Sequence, residues 1–265
     1  MYTASLTKML SGLMFAQFVD QGLMGIDDPI GTVLPDFPVE GGKVVTFRQC
    51  FTHSTSLAGH SSWGGLLNPY LDNVFANGIE YLEPGKVYQY NGDGLNLAGK
   101  AMELVGGKPA LRLVYENLFV PLGITNFGLN DLGGGATLAA EDLARFGQML
   151  LNRGAYGDYR FFSPATFEAL LPQPLSTFYP NLEAEEGIAI RWMRTLPWLA
   201  NEMGAEPDKV GLSQNTMGYT SSSGATLQVD LDNDIVVAQA RNGQGPLFEE
   251  HRYQFLKAIA EGFVD

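Results

Sequence analysis

The apolar positions of the first 22 residues recur at steps of three and four, which is the spacing of one face of an α-helix. The residues that carry this pattern are Leu6, Met9, Leu10, Leu13, Met14 and Phe18. Thr3 or Ser5 can cap the start of such a helix, and Gly22 can end it. The pattern therefore predicts an amphipathic helix over residues 3–22.

Helical spacing also predicts helices over 93–106, 109–119, 139–152 and 246–263. Residues 23–80, rich in Gly, Pro and Asp turns, are expected to form loops and short helices.

Strand patterns come late in the chain. Residues 225–230 and 235–240 surround the turn Asp232-Asn233-Asp234 and predict an antiparallel hairpin, and 188–192 is a further predicted strand. Gly133-Gly134-Gly135 is interpreted as a flexible break. This order favours an α+β fold, an antiparallel sheet flanked by helices.

The amino-acid composition and net charge exclude several classes of binding partner. The chain has 265 residues, of which 45% are hydrophobic and 17% charged, so it can bury a sizeable core. Its net charge of −13 argues against nucleic acid and against an anionic membrane surface. It contains no apolar run of membrane-spanning length and no signal peptide pattern, so a cytoplasmic location is the expectation for the chain as given. Three histidines and the single Cys50 disfavour a metal site.

Lys8 follows Ser5 by three residues, which places both side chains on one face of the predicted helix. The helix N-terminus favours negative charge developing on a serine oxygen. A lysine accepts a proton near neutrality only if its pKa falls from about 10.4 towards about 7–8. The pair alone also fits a capped helix with a lysine in solvent, so further motifs decide between the two interpretations.

Those motifs lie in the stretches 46–57, 84–99 and 218–230, which contain Thr52-His53-Ser54, Tyr90-Asn91-Gly92 and Tyr219-Thr220-Ser221. Together with Ser5-Leu-Thr-Lys8, and in this order, they resemble the serine β-lactamase-like hydrolases of the class C type. That group includes class C β-lactamases, family VIII carboxylesterases and D-amino-acid-specific peptidases. The resemblance extends over essentially the whole chain.

The resemblance implies roles for individual residues. Ser5 matches the acylated nucleophile, Lys8 its partner in proton transfer, and Tyr90 the tyrosine of Tyr-x-Asn. The backbone N–H groups of Ser5 and Ser222 would form the oxyanion hole. No metal or organic cofactor is implied, and the expected partner is a small ester or amide substrate.

The sequence departs from the family pattern at two substrate-binding motifs. The amide of Tyr-x-Asn is missing or displaced by one, and either Asn91 or Asp93 is a candidate replacement. The third motif aligns without gaps to Tyr219, Thr220 and Ser221, and an alternative register uses residues 216–218. Neither register has the family's cation, and this favours an ester or amide over a carboxylate-bearing β-lactam.

Two other interpretations receive less support. His53, in the altered motif His53-Ser54-Thr55-Ser56-Leu57, is expected to be a structural hydrogen-bonding residue. An α/β-hydrolase requires Gly-x-Ser-x-Gly after a strand, and Gly59–Gly64 has one residue too many between its glycines.

We therefore expect one β-lactamase-like domain over residues 1–265, with a sheet-bearing part (1–22 and 138–265) and a mainly helical part (23–137). The expected function is a serine hydrolase, first a carboxylesterase, with weak β-lactamase or D-peptidase activity as lesser options. The alternative is a catalytically silent relative that serves as a binding or scaffold protein.

Relatives place a helix and two sheet strands before Ser-x-x-Lys, whereas this chain begins at Met1, and we expect those N-terminal sheet strands to be missing. A sheet without them exposes an unpaired edge, which predicts a homo-oligomer through that edge. Size-exclusion chromatography with light scattering should show a dimer or a larger species. Elution as a monomer over the whole concentration range would count against this expectation.

Overall fold

The computed structural model describes residues 1–57, 78–79, 83–90, 92–173, 175–182, 212–213 and 215–262. The predicted strand over 188–192 and the segment Gly59–Gly64 lie outside these residues.

The helices of the described residues follow the predicted periodicity closely. They are α1 (Lys8–Asp20), α2 (Phe47–Phe51), α3 (Asp93–Gly106), α4 (Ala110–Val114), α5 (Ala140–Leu151), α6 (Pro164–Ala169) and α7 (Phe248–Glu261). Short 3₁₀ turns span Ala4–Thr7, Ile30–Thr32 and Leu175–Thr177, and a π-helical turn, Tyr115–Phe119, extends α4. The four helices predicted after the first one are confirmed. No helix of the described residues has the length and apolar character needed to cross a bilayer.

The strands form three antiparallel groups. Two small hairpins pair β1 (Gly128–Leu129) with β2 (Ala136–Thr137), and β3 (Ala155–Tyr156) with β4 (Tyr159–Arg160). The main sheet has the order β5 (Thr216–Thr220), β6 (Thr226–Asp230), β7 (Ile235–Gln239). The predicted hairpin is therefore confirmed as β6 and β7, whereas β5 was not predicted. Within the described residues β7 pairs with β6 alone, and association through its outer edge stays a prediction.

Helix α1 differs from the expected amphipathic helix because it lies inside the protein. Every residue from Lys8 to Phe18 is buried, including Ser11 and Gln17. The helix packs against α3, α4 and α6, so neighbours surround it. Its polar residues are accommodated by hydrogen bonds, since Gln17 Nε2 donates to the Asn117 carbonyl. The predicted end at Gly22 is correct, because Gly22 has a left-handed φ of 67°.

Helix α5 covers one face of the main sheet and contacts β6 and β7. Gly147 allows this close approach, because a Cβ there would lie 2.9 Å from Leu227 Cδ1 and would overlap Val236. The sheet and α1 are thereby joined in one hydrophobic core, which includes Leu10, Phe146 and Leu227.

The turn after β6 is organised by the buried carboxylate of Asp230. This carboxylate accepts hydrogen bonds from Ser213 N at 2.7 Å, from Ser213 Oγ at 2.5 Å and from Asn233 Nδ2 at 2.8 Å. Burial alone would raise the pKa of Asp230, but the hydrogen bonds from Ser213 and Asn233 prevail and hold it below its usual value of 3.8.

We predict that Asp230→Ala lowers the free energy of unfolding by about 2–3 kcal/mol at pH 7, because it removes a buried acceptor. A carboxyl with a lowered folded-state pKa stabilises the protein above its unfolded pKa of about 3.9, and this contribution is lost as the pH falls through the folded-state value. Urea unfolding at pH 7 and at acidic pH should show the difference shrinking below about pH 4.

The matched control is Asp232→Ala, at an exposed position in the same turn, whose cost should stay within about 0.5 kcal/mol at either pH. Equal costs for the two variants at pH 7 would contradict this role of Asp230.

Candidate active site

The turn that carries Ser5 is fixed against strand β2 by two threonines. Thr3 N and Thr3 Oγ1 each donate to the Ala136 carbonyl at 2.9 Å. The Ala136 N–H donates in return to Thr7 Oγ1 at 3.0 Å. Residues on both sides of Ser5 are therefore held by the same residue of β2.

The residue before Ser5 has an unusual backbone conformation. Ala4 is buried and has a φ of 46°, in the left-handed region that L-residues rarely adopt. This conformation turns the chain from its pairing with β2 into the 3₁₀ turn, Ala4–Thr7, that leads into α1. Ser5 therefore lies at the helix N-terminus, where the positive end of the helix dipole favours negative charge.

Three side chains predicted to act together meet at Ser5 Oγ. Tyr90 donates a hydrogen bond from its hydroxyl to Ser5 Oγ at 2.8 Å, although 85 residues separate them in sequence. Lys8 Nζ donates to the same oxygen at 3.4 Å. Ser5 is half-buried and the Tyr90 side chain is 42% exposed, so a small molecule can approach this oxygen from solvent.

The amino group of Lys8 is held inside the protein. Lys8 is 7% exposed, and its Nζ donates to the Gly133 carbonyl at 2.6 Å. The same Nζ lies 4.8 Å from the centre of the Tyr90 ring, within the range of a cation–π interaction. Lys8 is therefore in contact with both of the hydroxyl residues that it is predicted to assist.

Tyr90 reaches the site on the segment 83–90, which is tied to the residues after α2. Gly85 N donates to the Ser54 carbonyl at 2.7 Å, and Gln89 N donates to the His53 carbonyl at 2.8 Å. The buried His53 ring packs on the Tyr90 ring with centroids 4.6 Å apart. His53 thus supports Tyr90 through its backbone carbonyl and its ring, and its role as a structural hydrogen-bonding residue stays a prediction.

Two other ionisable groups near this region are poorly suited to take up charge. Burial raises the pKa of the Cys50 thiol far above its usual value, so the thiolate is disfavoured. Burial is also the main reason why the pKa of Tyr179 is raised to about 12. Tyr179 contacts the segment that carries Tyr90, but its phenol stays protonated at neutral pH.

The third motif lies at the end of β5 and in the following turn. Tyr219 and Thr220 are half-buried on the strand, and the buried Ser221 hydroxyl is hydrogen-bonded to Ser223 Oγ at 2.9 Å. Ser222 follows in the exposed part of the turn. Its N–H as an oxyanion donor, together with that of Ser5, stays a prediction.

The alternative register of this motif occupies the other end of β5. Thr216 pairs with Asp230, beside the turn between β6 and β7, whereas Thr220 pairs with Thr226 next to the turn that contains Ser222. The first register therefore keeps the motif and the predicted oxyanion residue together.

Asn91, predicted to bind substrate, lies outside the described residues. The other candidate for that role, Asp93, is buried in the first turn of α3.

The loop that holds Lys8 was not predicted from the sequence. Residues 130–135 form a hydrogen-bonded loop rather than the predicted flexible break, because Asp131 Oδ1 accepts from Gly133 N at 2.7 Å and from Gly134 N at 2.8 Å. Besides the bond from Lys8, a hydrogen bond from Ser11 Oγ to the Leu132 carbonyl at 2.7 Å ties the loop to α1. An acidic residue two positions before a glycine run was the available signal.

Comparison with known proteins identifies the family. Residues 1–261 match the family described as Beta-lactamase, so this chain belongs to the beta-lactamase family. The fold is similar to that of simvastatin synthase (LovD) from Aspergillus terreus, with a TM-score of 0.73, 17% identity and coverage of 99% of this chain and 83% of that chain. It is also similar to a family VIII carboxylesterase, with a TM-score of 0.72, 16% identity and coverage of 98% and 83%.

Among curated sequences, lovastatin esterase of Penicillium rubens is 25% identical over 207 residues, which cover 61% of this chain and 51% of that protein. Other curated relatives are named as penicillin-binding proteins, D-alanyl-D-alanine carboxypeptidases and acyltransferases. The family therefore includes hydrolases and acyltransferases. The chain spans at most about half the length of the first curated relatives it matches, with 32%, 51% and 28% of those proteins covered.

We predict that Ala4→Gly leaves the free energy of unfolding within about 1 kcal/mol of its original value. The relief of the left-handed backbone, about 1 kcal/mol, offsets the lost burial of one methyl group, about 0.8 kcal/mol. The control is Ala16→Gly, in the interior of α1. There the lower helix propensity of glycine and the lost burial of the methyl group both destabilise the protein, by a total of about 2 kcal/mol. Urea unfolding measures both variants, and equal costs would argue against strain at Ala4.

Proposed function

We propose that this protein is a serine hydrolase that forms an acyl-enzyme on Ser5 from an ester or amide, and that it acts first as a carboxylesterase. The observation that carries this proposal is the hydrogen bond between Tyr90 and Ser5 Oγ at 2.8 Å, with Lys8 Nζ bonded to the same oxygen. Two donors directed at one serine oxygen stabilise the negative charge that the oxygen develops during attack.

In the first half-reaction Ser5 Oγ forms a bond to the substrate carbonyl carbon. Attack starts from the state in which one of the two groups hydrogen-bonded to Oγ, Tyr90 or Lys8, has already lost a proton, and that group accepts the Ser5 proton while the other stays a donor. The resulting oxyanion is held by the backbone N–H groups of Ser5 and Ser222. The bond to the leaving group then breaks, and the leaving alcohol or amine takes up the proton that Tyr90 and Lys8 received.

In the second half-reaction water replaces the leaving group. Tyr90 and Lys8 take a proton from the water as its oxygen bonds to the acyl carbon, and they return this proton to Ser5 Oγ as the acyl–oxygen bond breaks. The products are a carboxylic acid and free Ser5. An alcohol in place of water would give acyl transfer, the activity named for several relatives.

The third motif favours uncharged substrates. Tyr219, Thr220 and Ser221 stand where the family pattern has a cation, so the strand that borders the predicted oxyanion hole offers hydroxyl and aromatic groups instead. Neutral short-chain esters fit this surface better than the carboxylate of a β-lactam antibiotic. We therefore place β-lactamase and D-peptidase activity below esterase activity.

The first test compares the unaltered protein with Ser5→Ala. We predict that the unaltered protein releases p-nitrophenol from p-nitrophenyl acetate and butyrate and is labelled by a fluorophosphonate probe. Ser5→Ala should abolish the labelling and lower kcat by about 10⁴-fold or more, because the nucleophile is removed. If neither protein is labelled or active, the alternative of a catalytically silent relative with a binding or scaffold role is favoured, and equal activity of both would rule out Ser5 as the nucleophile.

The second test removes one hydroxyl. Tyr90→Phe keeps the ring that packs on His53 but loses the group bonded to Ser5, so we predict a fall in kcat/KM of about 10²- to 10⁴-fold. The control is Tyr159→Phe, which removes the same atom from an exposed tyrosine on β4 and should leave kcat/KM unchanged. Full activity of Tyr90→Phe would rule out Tyr90 as a proton carrier.

A further inference from the structure

The peptide unit between Gly133 and Gly134 links a carboxylate to the amino group of Lys8. Its carbonyl oxygen accepts the hydrogen bond from Lys8 Nζ at 2.6 Å, and its N–H donates to Asp131 Oδ1 at 2.8 Å. The described residues contain no cis peptide bond, so the C=O and N–H of this planar unit point in opposite directions. Asp131 and Lys8 therefore hold the same peptide from opposite sides.

The Asp131 carboxylate fixes the rotation of this peptide. Its Oδ1 also accepts from Gly133 N at 2.7 Å, so two successive N–H groups converge on one oxygen. A negative charge at the N–H side polarises the peptide and makes its carbonyl oxygen a stronger acceptor for a cation. The orientation and the strength of the acceptor for Lys8 both depend on Asp131.

The surrounding loop leaves little room for another arrangement. A Cβ on Gly133 would lie 3.2 Å from Asp131 Oδ1 and 3.9 Å from Lys8 Nζ, and one on Gly135 would lie 2.6 Å from Asp131 N. The glycines thus allow the loop to fold tightly over Lys8. The hydrogen bond from Ser11 Oγ to Leu132 anchors the loop one position before this peptide.

We propose that Asp131 is a positioning residue for the reaction: it orients the Gly133–Gly134 peptide, which holds Lys8 Nζ beside Ser5 Oγ. This inference rests on the proposed function, in which Lys8 exchanges protons with Ser5. Asp131 acts only through Lys8, so its loss slows the acylation of Ser5 and leaves substrate binding unchanged.

The kinetic test uses Asp131→Ala, Asp131→Asn and the control Asp28→Ala, at an exposed loop carboxylate that accepts the Gly25 N–H. Asp131→Ala should lower the rate of Ser5 phosphonylation and kcat for p-nitrophenyl acetate by about 10- to 100-fold, the effect of a small misplacement, with KM unchanged. Asp131→Asn should restore most of the rate, because its amide oxygen still accepts both N–H bonds. Asp28→Ala removes a comparable carboxylate-to-backbone bond from a different loop, so it should keep the rate of phosphonylation.

A structural test is independent of activity. Crystal structures of the unaltered protein and Asp131→Ala should show Lys8 Nζ leaving the Gly133 carbonyl in the variant. The proposal is overturned if Lys8 keeps that bond, or if Asp131→Ala and Asp28→Ala slow acylation equally. If the unaltered protein shows no Ser5-dependent chemistry, the proposed function fails, whereas the position of Lys8 in the two crystals still decides whether Asp131 orients it.

Discussion

The buried amino group of Lys8 is the constraint on which the site depends. A charged or strongly polar group that loses contact with water must be hydrogen-bonded by the protein, since leaving it unsatisfied costs several kcal/mol or more (~2–7 for a neutral group). Lys8 meets this requirement through the Gly133 carbonyl, Ser5 Oγ and the face of the Tyr90 ring. The groups that satisfy Lys8 are thus largely the groups with which it is proposed to react.

The same strand and loop position both the lysine and the serine. Residues 130–135 hold Lys8, and Ala136, the next residue, holds Thr3 and Thr7 on either side of Ser5. Tyr90 arrives from a different direction, on a segment tied to the backbone of His53 and Ser54. The site therefore combines one rigid framework, built from α1 and residues 130–136, with a separate support for the phenol. Firm support of all three side chains suits acyl transfer, because small displacements of reacting groups change the rate strongly.

Much of this arrangement could be predicted from the sequence, because part of it is local. The three-residue spacing of Ser5 and Lys8 places both side chains on one face of a helix, and the alternation in 225–240 specifies the hairpin of β6 and β7. Tyr90 is different, since no local pattern joins it to Ser5, and it was predicted only from the resemblance to a family. The burial of α1 was missed because surrounding helices decide it, and the loop 130–135 was misjudged because its glycines serve close packing rather than flexibility.

The proposed chemistry requires Ser5 Oγ to be a nucleophile that Tyr90 and Lys8 assist. A crystal structure of the protein with a small alkyl boronic acid tests this requirement, because boron mimics the tetrahedral intermediate of acyl transfer. We expect a covalent bond from boron to Ser5 Oγ, with Tyr90 and Lys8 within about 3.2 Å of the oxygens at that centre. Boron bound to any other residue, or to Ser5 with Tyr90 and Lys8 turned away, would contradict it.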